Sequence, residues 1–161
     1  MPSKKIRLGF IGAGEVSILH GRAARMLPNV EVSGLWNRTT STAISRADEE
    51  ECRVFETPKQ LVGSPDVDAV CVLTNLETHL EYATLAMEAG KDVLVEKPLC
   101  ATIEEVRRLK EVADRTGKHC IPGHNMIYEQ SLGRTKRLVA DGDFGSLVSC
   151  YVMYNIYHDD Q

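Results

Sequence analysis

The feature that most narrows the fold is an alternation: short apolar runs recur along the chain, and stretches with helical spacing separate them. Ile6 to Ile11 is the first run. In "GAGEVSILHGRAARML", which follows it, Val16, Leu19, Ala23 and Met26 or Leu27 fall at helical spacing and are expected to form the buried side. Val30 to Trp36, "CRVF", "VDAVCVLT", Asp92 to Val95 and "KHCIPGHN" supply further strands. Between them, "TSTAISRADEEE" is a polar helix suited to an outer position. "TPKQLVG" offers Thr57 as N-cap, Pro58 as first helical residue and Gly63 at the exit. Leu76, Leu80, Ala83 and Met87 mark another helix, ending at Gly90. Thr102 and Glu105 have the spacing of a capping box for a helix that runs to Gly117. Repeated βα units of this length predict an α/β fold, a parallel sheet with helices on both faces.

After Pro122 and Gly123 the pattern changes. "YEQSLGRTKRLVADG" reads as a helix and "SLVSCYVMYNIYHDD" as one long strand. Val148, Cys150, Val152, Tyr154 and Ile156 form its apolar face, and Ser149, Tyr151, Asn155 and Tyr157 the more polar one. An alternating strand of this kind suits an antiparallel or mixed sheet. The expected organisation is a first domain over 1–122 and the start of an incomplete second α/β domain over 123–161. An unpaired strand is an adhesive edge, so this tail is expected to be exposed, disordered or engaged in self-association.

Composition removes several function classes. The 161 residues are 43% hydrophobic and 26% charged, which is ordinary for a globular chain, and the net charge of -4 argues against a general nucleic-acid surface. No apolar run approaches membrane-span length. Cys52, Cys71, Cys100, Cys120 and Cys150 are dispersed and odd in number, which points to reduced thiols rather than a disulfide framework or metal site. The chain is expected to be cytoplasmic.

Two stretches carry chemistry. In "LGFIGAGEVS", Gly12, Ala13 and Gly14 lie between the first strand and the first helix, with Glu15 and Val16 opening that helix. Glycines at the first two positions of G-x-G-x-x-G permit a tight turn and let backbone N–H groups approach a pyrophosphate. Ser17 takes the third position. The alternative is a tight turn with no ligand. At the end of the second strand, "WNRTT" places Asn37, Arg38 and Thr39 where an acid would accept from the ribose of NAD. No acid is present to repel a 2′-phosphate and Arg38 can pair with one, so NADP is preferred over NAD. Arg38 as a solvated charge, or stacked on the adenine, is the other reading.

The second stretch is "KDVLVEKPLCAT". A doubly buried strand runs into Glu96, Lys97 and Pro98, charges that make sense where a sheet's carboxyl edge faces a cleft. With "GFIGAGEVSILH", "DVDAVCVLTNLETHLEYATLAMEAGKDVLVEKPLC" and "GHNMIYE…GDFGSL", this stretch resembles the amino-terminal part of the glucose–fructose oxidoreductase/inositol dehydrogenase (Gfo/Idh/MocA) family. The resemblance covers essentially the whole chain. It implies a Rossmann-type, doubly wound parallel sheet, and then an α/β domain whose open sheet carries the substrate site and often an oligomer interface.

By that resemblance Lys97 is the catalytic lysine, beside the nicotinamide and the substrate hydroxyl, with Glu96 orienting the lysine or the cofactor. Thr74, Asn75 and His79 match a cofactor-side stretch, although Asn75 stands where the family usually has proline, and His79 can equally cap or pack on its helix. His20 matches a recurring histidine of the first helix. His124 and Asn125 fall where the family meets substrate. The family's second catalytic pair, an aspartate and a histidine, lies beyond Gln161, and His158, Asp159 and Asp160 read as a strand terminus. The implied activity is hydride transfer between NADP or NAD and a carbinol carbon of a sugar, cyclitol or related polyol, with homo-oligomers through the second-domain sheet. Two alternatives stand beside it: a dinucleotide-binding module without turnover, and a partly folded fragment that pairs with another chain.

Overall fold

The computed structural model describes residues 5–153. The chain divides into two compact units, Met1–His124 and Asn125–Gln161.

The first unit is a six-stranded sheet, β1 (Ile6–Ile11), β2 (Val30–Trp36), β3 (Arg53–Val54), β4 (Ala69–Val72), β5 (Asp92–Val95) and β6 (Cys120–Pro122). Every pairing is parallel, and the order across the sheet is β3-β2-β1-β4-β5-β6. The order reverses between β1 and β4, the switch point at which open sheets bind ligands outside their carboxyl ends.

Side chains alternate along each strand, so neighbours feed opposite faces. Phe10, Leu35, Cys71 and Leu73 pack on one face with Ala43 and Ala47 of α2 (Thr40–Glu50). Ile11, Val70, Val72, Val93 and Val95 pack on the other. There they meet Leu61 of α3 (Pro58–Gly63), Ala83, Ala86 and Met87 of α4 (His79–Glu88), and Leu109 of α5 (Ile103–Thr116). Phe10, Ile11, Leu35, Leu61 and Met87 are fully buried, each worth about 1.5–3 kcal/mol against exposure. The polar edge of β1 is anchored as well: Arg7 donates Nε and Nη2 to the two carboxylate oxygens of Asp68, each at 2.9 Å. That pairing holds its guanidinium above the ordinary value.

The caps form as the sequence predicts. Thr57 accepts from the N–H of Gln60 at 3.1 Å, with Pro58 opening α3. Thr102 and Glu105 complete a reciprocal capping box on α5.

Helix α1 (Glu15–Arg25) departs from expectation. Its buried residues are Ser17, Gly21 and Ala24, while Leu19 is 62% exposed, Met26 83% and Leu27 51%; Ala23 is exposed and Val16 half-buried. Close packing of this helix selects small side chains, so apolarity alone marked the wrong stripe.

In the second unit a 3-10 turn, Asn125–Tyr128, leads to α6 (Gln130–Ala140). The long strand expected from Ser146 is not formed over residues 147–153: none of them pairs, and Val148 and Tyr151 are 94% and 84% exposed. Alternation sets which face a strand would bury, but without a partner the extended backbone gains no ladder. The rest of that expected strand, with His158, Asp159 and Asp160, lies outside the described residues. No helix among the described residues is long and apolar enough to cross a membrane.

Candidate functional site

One register row sets out the site. Trp36, Ile11, Val72, Val95 and Pro122 are aligned across β2, β1, β4, β5 and β6. The next residue on each strand therefore stands at the carboxyl edge: Asn37, Gly12, Leu73, Glu96 and Gly123. Strands about 4.8 Å apart put Glu96 roughly 10 Å from Gly12 along this edge.

Gly12 has φ +108, and a Cβ there would lie 2.6 Å from the Leu73 carbonyl oxygen, so the turn accepts glycine alone. Its N–H donates to Trp36 O at 2.8 Å. Gly14, the N-cap of α1, is the opposite case. Its missing side chain faces open space, and no side chain caps the helix. Its first-turn N–H groups thus lack a side-chain acceptor, the condition an anion at a helix amino terminus satisfies. Glu15 contributes backbone only to such a site, since its carboxylate would repel the anion. Ser17, fully buried, donates its hydroxyl to Gly14 O at 2.6 Å and closes the turn.

A cleft of about 160 Å³ opens beside the loop, lined by Gly12, Gly14, Asn37, Arg38, Thr74 and Asn75. Four more of its residues escaped the sequence reading: Trp36, Leu73, Thr78 and Tyr82. The rings of Trp36 and Tyr82 meet edge to face at 5.6 Å and form an aromatic wall next to Arg38. Burial pushes the Tyr82 phenol up. The available signal is the four-residue spacing between Thr78, which ends a 3-10 turn before α4, and Tyr82 on α4.

Asn37 behaves differently from a ribose reader. Its Oδ1 accepts from the Ala13 N–H at 3.1 Å, and its Nδ2 donates to Thr39 O at 3.1 Å. The carboxamide latches the glycine loop to the β2–α2 loop. Arg38 and Thr39 are exposed, and only Arg38 of the two lines the cleft. Val16 is half-buried on α1. The dinucleotide fits this chain on three counts: an uncapped helix end, open approach at Gly14 and a cation at the far wall.

Lys97 is exposed immediately past β5, on a cis peptide bond to Pro98. Its backbone N–H donates to Glu96 Oε2 at 3.0 Å, and among the described residues its ammonium has no partner. The other carboxylate oxygen, Glu96 Oε1, lies 2.9 Å from His20 Nε2. His79 does not line the cleft. It is 1% exposed, its ring between the carbonyl oxygens of Pro98 and Thr74 at 2.9 and 3.0 Å. Burial overrides the expected cofactor contact, because both ring nitrogens face protein backbone. His124 is exposed and donates its N–H to Pro122 O at 2.8 Å; Asn125 opens the second unit. No grouping of His, Cys, Asp and Glu among the described residues could hold a metal ion.

Comparison with known proteins identifies the family. The inositol 2-dehydrogenase of Paracoccus denitrificans (strain Pd 1222) is 33% identical over 140 residues, 84% of this chain and 42% of that protein. The NADP(+) scyllo-inositol 2-dehydrogenase IolW of Bacillus subtilis (strain 168) is 28% identical over 156 residues, 96% of this chain and 43% of its own length. Among solved structures, apo scyllo-inositol dehydrogenase from Lactobacillus casei superposes with a TM-score of 0.84 at 25% identity, over 90% of this chain and 44% of that one. The chain thus spans about two-fifths of the length of these relatives. Residues 6–124 match the family described as an oxidoreductase family with an NAD-binding Rossmann fold, and the chain belongs to that family, Gfo/Idh/MocA.

Proposed function

We propose that this chain forms the dinucleotide-binding part of an NADP-preferring oxidoreductase acting on a carbinol carbon of a sugar, cyclitol or related polyol. The observation that carries the reading is the register row. It puts an uncapped glycine loop and a lysine with an unpartnered side-chain nitrogen on one edge of one sheet. A bound nicotinamide dinucleotide supplies the hydride acceptor. Gly12 and Gly14 would admit the pyrophosphate, and Arg38 would pair with the 2′-phosphate. Lys97, in its amine form, takes the hydroxyl proton as hydride leaves the carbon. His124 and Asn125 follow β6 and are assigned to the substrate side. The region after His124 is assigned to the second domain and to self-association, which the exposed Leu147, Val148 and Tyr151 support. The free cysteines fit a reducing cytoplasm.

Titration with NADPH and NADH, followed by nicotinamide fluorescence, tests the reading. Saturable binding with NADPH tighter is expected, and binding of neither overturns it. A second reading is dinucleotide binding without turnover. Binding of NADPH without reduction of NADP by any of a panel of inositols and hexoses would select it.

A further inference from the structure

We propose that His20 is a positioning residue for Lys97, acting through Glu96, so that the helix behind the glycine loop and the backbone of the lysine form one hydrogen-bonded unit. The inference deepens the functional reading above and rests on it only for what a bound dinucleotide would do.

The chain of contacts is short and continuous. His20 sits on the second turn of α1, whose first turn closes the glycine loop. Its Nε2 lies 2.9 Å from Glu96 Oε1, with side-chain exposures of 22% and 14%. A carboxylate oxygen only accepts, so Nε2 must carry a proton. Glu96 Oε2 accepts from the Lys97 N–H at 3.0 Å, and the Glu96 N–H donates to Val72 O at 3.0 Å. Glu96 is therefore pinned at its backbone by β4 and at its carboxylate by α1, and the next amide in the chain is the lysine's. The His20 and Phe10 rings also meet in a T-shaped arrangement, centroids 6.4 Å apart at 79°.

Packing does not ask for a histidine here. A phenylalanine or leucine would fill the same half-buried space beside Phe10. What they lack is the N–H that a half-buried carboxylate needs, a charge-assisted bond of the stronger kind. The arrangement holds the Lys97 backbone while leaving its side-chain nitrogen free to reach a substrate. Small displacements of a reacting group are costly, so a fixed backbone matters more than a crowded side chain. It also gives the glycine loop a direct physical route to the lysine, through one helix and one carboxylate.

The test uses the full chain labelled with 15N. In the wild type, long-range proton–nitrogen spectra are expected to show His20 protonated at Nε2; a ring protonated at Nδ1 alone overturns the proposal without any variant. His20→Phe keeps the ring against Phe10 and deletes the donor, and the Lys97 amide is expected to move upfield as its acceptor swings free. His20→Leu repeats the deletion should the first variant fold poorly. His20→Gln restores an N–H and is expected to return the amide toward its wild-type position. A Lys97 amide unmoved in His20→Phe, or His20→Gln indistinguishable from it, overturns the proposal. Titration with NADPH adds the coupling. Gly14 and Lys97 amides are expected to follow one isotherm in the wild type, and Gly14 alone in His20→Phe. If wild-type Gly14 ignores NADPH, the dinucleotide reading fails, and the ligand-free comparison still decides the link.

Discussion

The Nδ1 of His79 lies 2.9 Å from the carbonyl oxygen of Pro98, inside a site where the ring is 1% exposed. The opposite nitrogen faces Thr74 O at 3.0 Å. The imidazole is thus a strut between the end of β4 and the segment that follows Lys97. A neutral ring donates to only one of these carbonyls; the doubly protonated ring donates to both.

His79→Leu fills similar volume but removes the ring N–H from its part-buried hydrogen bonding to Pro98 O and Thr74 O. An unsatisfied buried acceptor costs about 1–3 kcal/mol, and the expected loss of unfolding free energy is in that range. Urea unfolding of the two proteins measures it. A loss well below 1 kcal/mol would mean that water reaches both oxygens and that the strut is dispensable.

The glycine loop predicts a sharper failure. In Gly12→Ala the new Cβ meets the Leu73 carbonyl oxygen and the residue must keep φ +108, so the turn has to open. The cost is about 1–3 kcal/mol of local strain, enough to displace the N–H groups at the helix end. NADPH binding is expected to weaken at least about tenfold, the equivalent of about 1.4 kcal/mol. Gly14→Ala has open space for its Cβ and is expected to fold normally while obstructing the ligand. Equal stability loss in both variants would contradict the distinction between a turn glycine and an approach glycine.

The proposed cofactor preference is tested at the end of β2. Arg38→Ala is expected to weaken NADPH far more than NADH, since only the former carries the 2′-phosphate. Asn37→Asp keeps an acceptor for the Ala13 N–H, loses the bond to Thr39 O and adds a negative charge beside the phosphate site. Its expected effect is a swing toward NADH of about tenfold or more. Parallel fluorescence titrations give both ratios. Equal losses for the two dinucleotides in Arg38→Ala would place that side chain on something they share, such as the adenine.

Thiol chemistry separates the cysteines. Burial pushes Cys71 up to about 12 and Cys52 and Cys120 to about 11, and it raises Cys100 as well. Cys150 is exposed. With a chromogenic disulfide at about pH 8, one fast thiol and four slow ones are expected, because the thiolate is the reacting form. Cys150→Ser should remove the fast phase. A fast reaction at Cys71 would mean that the sheet opens far more readily than its packing suggests.

Much of this was legible because strands and caps are local. The apolar runs named the strands, Thr57 and Thr102 named two helix starts, and the glycines with the Glu96-Lys97-Pro98 stretch named the carboxyl edge. What failed depended on neighbours far away in sequence. The buried stripe of α1 is small rather than apolar, because it packs closely against partners that the helix's own residues do not announce. His79 matched a cofactor stretch but is enclosed by Pro98, nineteen residues on. Trp36 and Tyr82 meet across the cleft only after β2 and α4 are placed. Residues 147–153 have a strand's alternation, yet a strand exists only where another pairs with it.

Acid lability offers a last check on the first unit, at the amino end of β5. The Asp92 carboxylate accepts the backbone N–H of His119 at 2.9 Å, and the His119 ring nitrogen lies 3.0 Å from the same oxygen. The backbone bond is the main reason its carboxyl sits below the usual value, with partial burial opposing and the ring assisting. The group binds its proton less readily folded than unfolded. Its stabilisation is therefore complete above the ordinary carboxylate range and is lost as pH falls through the lower, folded value. Asp92→Asn keeps an oxygen for the His119 N–H but cannot titrate. Between about pH 5 and pH 3 its unfolding free energy is expected to fall less steeply than that of the wild type, a small difference because the pair is largely exposed. Parallel urea series across that interval measure the slopes, and identical slopes would show that Asp92 gains nothing from His119 in solution.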